Sequence, residues 1–160
     1  MKRSYRILGS LIIFFLVSSM ACDDSEPFVN TKVIETQIYQ EIDKFRVANG
    51  IPDADPFVFQ FIMGQEAQLF SAKMSFANAI DTTGLADHWF TIHDKIANGI
   101  NDATLLQSTL DATAPEIVAN WTADSSSRAI LLGDYSQCGV GVEYASNQVA
   151  YVTVMLMLVE

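Results

Sequence analysis

The sequence is poor in cysteine, histidine and positive charge. Its 160 residues include two cysteines, two histidines and nine lysines and arginines, against nineteen aspartates and glutamates. Nucleic acids and anionic lipid headgroups both attract positively charged surfaces, so this composition argues against either as a partner of the protein surface. Two cysteines allow at most one disulfide, and two histidines are few for a metal centre.

The first 22 residues have the pattern of a bacterial lipoprotein signal peptide. Lys2, Arg3 and Arg6 precede an apolar run over residues 7–17, which is shorter than the roughly 20 residues that a spanning helix needs. A small residue, Ala21, stands directly before Cys22. The pattern predicts cleavage before Cys22 and lipidation of that cysteine. An ordinary signal peptide that happens to contain a cysteine is the alternative.

Cleavage at Cys22 would sharpen the charge bias, because three of the nine basic residues and none of the acidic ones lie in the signal peptide. The mature chain would then carry six basic and nineteen acidic residues, a net charge of −13. Lipidation would leave Cys138 as the only thiol, so an intramolecular disulfide is excluded and Cys138 is expected to be buried and inert. Residues 23–30 are predicted to form an acidic tether, and residues 31–160 a folded domain.

Helical patterns fill the first part of this domain. One helix is predicted from Asn30 or Thr31 to Asn49-Gly50, where the glycine suits a left-handed C-terminal position. A second is predicted from Asp55-Pro56 to about residue 78. Its apolar residues suggest one broad inward face and burial on more than one side. That face would comprise Phe57, Phe61, Leu69, Ala72 and Phe76.

The last third of the sequence predicts a helix followed by two strands. The capping-box sequence over residues 113–116 starts the helix, which would carry Trp121 inward. Residues 139–145 and 148–159 predict strands joined by a hairpin turn. The final strand is too apolar for one buried face, so we expect a central strand covered by helices on both sides. Gly139 and Gly141 suit a place where a helix approaches closely.

The order of residues over 121–142 resembles the second half of a CAP domain, the family of cysteine-rich secretory and pathogenesis-related proteins. Bacterial members have a Trp, a polar elbow ending in Gly-His-Arg, an Ala-Asn-Ile-Leu-like run, a Tyr and Gly-Val-Gly-Val. The matching positions here are Trp121, Arg128, Ala129, Leu132, Tyr135 and Gly139 to Val142. The resemblance implies an α+β fold, an α/β/α sandwich with a small antiparallel sheet between helices.

The resemblance also implies a cleft with two histidines and one or two glutamates that can hold a divalent ion. His88 matches the first histidine, but Ser127 stands where the second belongs, in an elbow predicted as a polar loop. Ile100 stands in place of the family's Gly-Glu-Asn glutamate, for which Asp102 could substitute. One histidine and a hydroxyl make a poor zinc site. We therefore expect no cofactor, with His88 only a weak candidate ligand.

Two further interpretations of this region stay open. Ser127 with His88 as its base would make a nucleophilic site, although a helix-ending polar loop explains the serines more simply. Trp89, with Phe90 and Trp121, would line an apolar pocket or belong to the core. Arg128, the remaining cleft candidate, is expected to pair with a nearby carboxylate, at position 124 or 134.

Taken together, the sequence predicts a lipid-anchored CAP-like protein of a bacterial cell envelope, outside the cytoplasm, at the outer membrane or cell surface. The membrane would be its partner through the lipid on Cys22. With most of the family's site residues replaced, we expect a non-enzymatic module that binds an envelope ligand or protein and no nucleic acid. The alternative is a hydrolase that uses His88 and Ser127 or a metal in the cleft.

Overall fold

The computed structural model describes residues 30–51, 57–110 and 113–160. The predicted signal peptide and the tether up to residue 29 lie outside this range, as does the predicted helix start at Pro56. Within it, none of the helices is long and apolar enough to cross a membrane. The elements are α1 (Thr31–Ala48), β1 (Val58–Phe59), α2 (Phe61–Ala77), α3 (Leu85–Lys95), β2 (Gly99–Thr109), α4 (Ala114–Ala123), α5 (Ser125–Leu131), β3 (Gln137–Tyr144) and β4 (Ala150–Val159).

The sheet has the strand order β1-β3-β4-β2, with β4 antiparallel to both of its neighbours. The two-residue strand β1 runs parallel to β3 at its start. Helices cover both faces of β4, and its residues alternate between two cores. Val152, Val154 and Leu156 face one core, whereas Met155 and Met157 face the other. The predicted α/β/α sandwich with a central, doubly covered last strand is confirmed.

The two helical layers differ in composition. α1, α4 and α5 supply Ile38, Ile42, Ile117, Trp121 and Leu131 to the core on one face of the sheet. On the other face, α2 and α3 supply Met63, Ala67 and Ile92 to one cluster, and α2 supplies Phe70 and Met74 to a second cluster beside Tyr151. The predicted limits of α1 are also confirmed, since Asn30 is its N-cap and Gly50 has φ +89°.

The closest helix–sheet contact is between α2 and β3, where two glycines face the helix backbone. A Cβ atom on Gly139 would overlap the backbone of Met63 and Gly64, and one on Gly141 would overlap that of Ala67. The hydroxyl of Ser71 fills the remaining space and donates to the Gly141 carbonyl at 3.0 Å. The expected close approach of a helix to these glycines is therefore present.

The predicted burial of α2 is wrong for three of its large residues. Phe61 is 68% exposed, Leu69 58% and Phe76 92%. The sheet presents glycines at this contact, so the helix backbone lies closest to it at Gly64 and Ala67. Only Phe61, Leu69 and Phe76 among the predicted inward residues lie on the outer face. The inward residues are Met63, Gly64, Ala67, Phe70, Ser71, Met74 and Ser75.

Three local assignments also differ from the sequence interpretation. The second helix begins at Phe61, and the preceding Val58–Phe59 pairs with β3 as a strand. The serines predicted to form a loop open the helix Ser125–Leu131. The strand Gly99–Thr109 was not predicted, because its pattern of exposure is irregular and a bulge interrupts its pairing with β4. These residues form a strand because they pair with the buried central strand β4.

The glycine contact gives a stability prediction. Gly139→Ala is expected to destabilise the fold by about 3 kcal/mol, at the upper end for an overpacked core, because backbone rather than a flexible side chain must move. Gly50→Ala is the control. Gly50 has open space around it, so only the left-handed conformation is penalised, by about 1 kcal/mol. Denaturant unfolding measures both, and equal losses would contradict the close-approach interpretation.

Candidate functional site

His88 lies in α3 and pairs with a carboxylate on α2. Its Nδ1 lies 2.7 Å from Oε2 of Glu66, and the two side chains are 20% and 14% exposed. An ionised carboxylate only accepts hydrogen bonds, so the proton at this contact is on Nδ1 of the ring. The Phe70 ring packs edge-on at 5.3 Å between centroids. The sequence analysis did not predict Glu66 as a site residue. The feature that could have indicated it is a single acidic residue within a largely apolar helix.

The second histidine of α3, His93, forms a separate pair with Asp102, which was predicted as a cleft residue. Nε2 of His93 lies 2.6 Å from Oδ2 of Asp102, beside the bulge in β2. Trp89 lies between the two histidines in sequence, and its Nε1 donates to Oγ1 of Thr104 at 3.0 Å. Asp102 therefore partners His93 and not His88. The two histidines lie five residues apart on a helix, and each has its own carboxylate.

Ser127 and Arg128 lie in α5, on the opposite face of the sheet. The Ser127 N–H donates to Oδ1 of Asp124 at 2.8 Å, so Asp124 is the N-cap of α5. Hydrogen bonds from Ser127 hold the pKa of Asp124 below its usual range. Arg128 donates to Oδ1 of Asn49 at 2.9 Å and lies over the Phe45 ring. The expected pairing of Arg128 with a carboxylate is wrong, because α5 directs it towards the end of α1.

The predicted cleft residues are thus divided between two layers. α3, which carries His88 and Trp89, packs with α2, whereas Ser127 and Trp121 belong to the layer of α1, α4 and α5. The sheet lies between them. Phe90 is 76% exposed, so Trp89, Phe90 and Trp121 do not line a common pocket. What the geometry provides is a histidine base oriented by Glu66, without Ser127 within reach.

The donors present do not fit the family's two-histidine metal site. Across residues 30–51, 57–110 and 113–160, there is no group of three or more His, Cys, Asp and Glu side chains placed to hold a metal ion. His88 with Glu66, and His93 with Asp102, each offer two donor side chains. A closed zinc site takes four ligands and a catalytic one three from the protein.

Cys138 is fully buried in β3, as expected from its position. Burial raises the pKa of its thiol, and the nearby Arg46 only partly offsets this. A neutral thiol is a weak nucleophile, so Cys138 is a core residue. Arg46 is buried as well and donates to the carbonyls of Leu131, Gly133 and Tyr135 at 2.8–2.9 Å. These bonds fix the segment between α5 and β3 against α1.

An exposed apolar surface lies around β1. Val58 is 48% exposed, Phe59 39% and Phe61 68%. The Tyr39 ring packs edge-on against Phe59 and stacks on Phe57, both at 5.8 Å between centroids, and its hydroxyl donates to the Phe57 carbonyl. We call Tyr39, Val58, Phe59 and Phe61 the aromatic edge. It lies where β1 pairs with residues 137 and 138, at the start of β3.

Comparison with known proteins identifies the fold. No family model and no curated protein matches the sequence. An outer surface protein from Borrelia burgdorferi has a similar structure, with a TM-score of 0.70 and 16% identity, over 82% of this chain and 97% of that one. An extracellular protein containing an SCP domain from Bacillus anthracis gives 0.66 and 14%, over 79% and 41% of the two chains.

A cysteine-rich secretory protein from Staphylococcus aureus gives a TM-score of 0.66 and 14% identity, over 82% of this chain and 40% of that one. This chain therefore spans about two fifths of the length of the Bacillus and Staphylococcus proteins. The fold is CAP-like, as the resemblance in the sequence implied.

The division of the site gives a second stability prediction. Ser127→Ala keeps the backbone bond to Asp124 and removes one half-exposed hydroxyl, so we expect a loss below about 1 kcal/mol. Trp121→Ala leaves a cavity in the core and should cost about 3–5 kcal/mol. Denaturant unfolding of both variants measures the difference. A larger loss for Ser127→Ala than for Trp121→Ala would show that the hydroxyl has a structural role that this packing does not explain.

Proposed function

We propose that this chain is a lipid-anchored module of a bacterial cell envelope that binds a partner outside the cytoplasm. The signal pattern ending at Cys22 supports the anchor. The structural neighbours are named as an outer surface protein, an extracellular protein and a secretory protein, which supports the location. In this proposal the mature chain begins at Cys22, and the acidic tether over residues 23–30 leads into the CAP-like domain.

The aromatic edge is the observation that carries the binding role. Three large apolar side chains among four consecutive residues, Val58, Phe59 and Phe61, are exposed on a chain that is otherwise strongly acidic. Contiguous exposed apolar surface marks interaction sites, and aromatic residues are enriched at protein interfaces. Tyr39 packs against Phe59 from α1, so the Phe59 ring is held in place before binding. The partner would be an envelope component with a complementary apolar surface.

A hydrolase is the second candidate, and the His88–Glu66 pair is the observation that favours it. A carboxylate that orients a histidine is the base half of a nucleophilic site. Among the described residues, no serine, threonine or cysteine side chain is hydrogen-bonded to His88. The binding role is therefore favoured. Ester or peptide hydrolysis that disappears in both His88→Ala and Glu66→Gln, while the fold is retained, would reverse this preference.

The anchor is tested by intact-mass measurement of the protein extracted from membranes. We expect a mature chain that begins at Cys22 and carries added acyl mass, because the thiol and the new amino terminus would both be acylated. Cys22→Ser should accumulate as unprocessed precursor. A mature chain that begins at Cys22 without acyl mass, or normal processing and release of Cys22→Ser, would contradict the anchor.

The aromatic edge is tested by photocrosslinking on intact cells. A photoreactive phenylalanine analogue at position 58 should give one discrete adduct, whereas the same group at position 90, a more exposed site on α3, should not. Phe61→Ser should abolish the adduct from position 58, because a central aromatic side chain contributes much of the binding energy. Phe90→Ser is the matched control. Retention of the adduct in Phe61→Ser would contradict the proposed surface.

A further inference from the structure

Several elements of the sandwich end on the same side as the beginning of α1. Glu35, in the second turn of α1, lies against Val142 and Glu143 near the end of β3. The last turn of α1 lies at the other end, where Arg46 binds the segment that leads into β3. α1 therefore runs antiparallel to β3. The chain enters the domain at the end where β3 turns into β4.

α2 and β2 also finish at this end. The last turn of α2 borders a groove with residues 143–146, which follow from the end of β3. The last residue of β2, Thr109, pairs with Ala150 at the start of β4. We call this side of the domain the tether end, because Asn30 lies there. The aromatic edge lies at the opposite end, beside residues 137 and 138.

Large apolar side chains are exposed at the tether end. Phe76 in the last turn of α2 is 92% exposed and Leu110, directly after β2, is 70% exposed. Val33 in the first turn of α1 and Ile80 after α2 are each about half exposed, at 49% and 48%. These four side chains come from three separate elements. They are brought together at one end by the topology and not by the sequence.

The predicted tether is too short to hold this end away from a membrane. Cys22 to Val29 is eight residues, which span at most about 28 Å when fully extended. A lipidated Cys22 would therefore keep the tether end within one domain diameter of the bilayer. At that effective concentration, a weak second contact becomes significant.

We propose that the tether end rests on the lipid surface, with the Phe76 side chain in the boundary between headgroups and acyl chains. This inference depends on the lipid anchor proposed above. The cations near this end are engaged within the protein, since Lys32 pairs with Glu35, and Lys73 donates to the Thr83 carbonyl and lies near Asp81. The contact therefore depends on apolar burial and accepts zwitterionic lipid. It would direct the aromatic edge away from the membrane.

The test uses the full lipidated chain in phosphatidylcholine vesicles, with and without the same lipid brominated on its acyl chains. Tryptophan replaces phenylalanine in Phe76→Trp and, as the matched control, in Phe90→Trp. Position 90 is exposed on α3, next to Trp89, which contacts the middle of β2. The measured quantity is the emission that each new tryptophan adds to that of the parent protein. Brominated lipid should quench roughly half of this added emission in Phe76→Trp and little of it in Phe90→Trp. High salt should not change this result.

Four results would overturn the inference. Absence of quenching at position 76, or equal quenching at both positions, would mean that the tether end makes no preferred contact with lipid. A blue shift of the Phe76→Trp emission that grows with protein concentration without vesicles would assign the surface to a second copy of the chain. Intact mass, measured first on the same sample, distinguishes these three fluorescence results from a failure of the lipid anchor. A product without acyl mass would contradict the anchor and this contact with it.

Discussion

The contact between α2 and two glycines of β3 determines how one half of the molecule is arranged. With no Cβ on Gly139 and Gly141, the helix backbone lies directly on the strand. Gln68 then lies beside the edge of β3, where its amide pairs with the N–H and carbonyl of Val142 at 3.1 Å. The same rotation of the helix turns Glu66 towards α3, where it meets His88.

The two histidines of α3 each contact a carboxylate on a neighbouring element. α3 is attached at two places, to α2 through His88 and to β2 through His93, and each imidazole is engaged by one carboxylate. The sheet separates these pairs from Ser127, which sequence similarity had placed in the same cleft. The positions that the resemblance placed in one cleft therefore lie in two layers. His88 pairs with Glu66 in one layer, and Ser127 binds Asp124 in the other. A histidine oriented by a glutamate is present, without a hydrogen-bonded nucleophile among the described residues.

Two apolar regions of the surface formed by the described residues lie at opposite ends of the sandwich. One surrounds β1, where Tyr39 supports Phe59. The other includes Phe76 and Leu110, at the end where the chain enters the domain. With the proposed anchor at Cys22, the two regions would face different surroundings, lipid on one side and an envelope partner on the other. The strongly acidic composition disfavours attraction to anionic lipid, so the proposed lipid contact would depend on burial of apolar side chains.

The sequence by itself determined the elements whose signals are local. The cap at Asn30 and the glycine at position 50 predicted α1, and the apolar run over residues 148–159 predicted the covered strand β4. The sheet strand β2, the outward face of α2 and the partners of His88 and Arg128 depended on tertiary structure. Pairing between strands and the rotation of a helix depend on residues far apart in sequence. Glu66 and His88 meet because α2 and α3 pack together, on a sheet that α2 can approach closely at Gly139 and Gly141, more than fifty positions later.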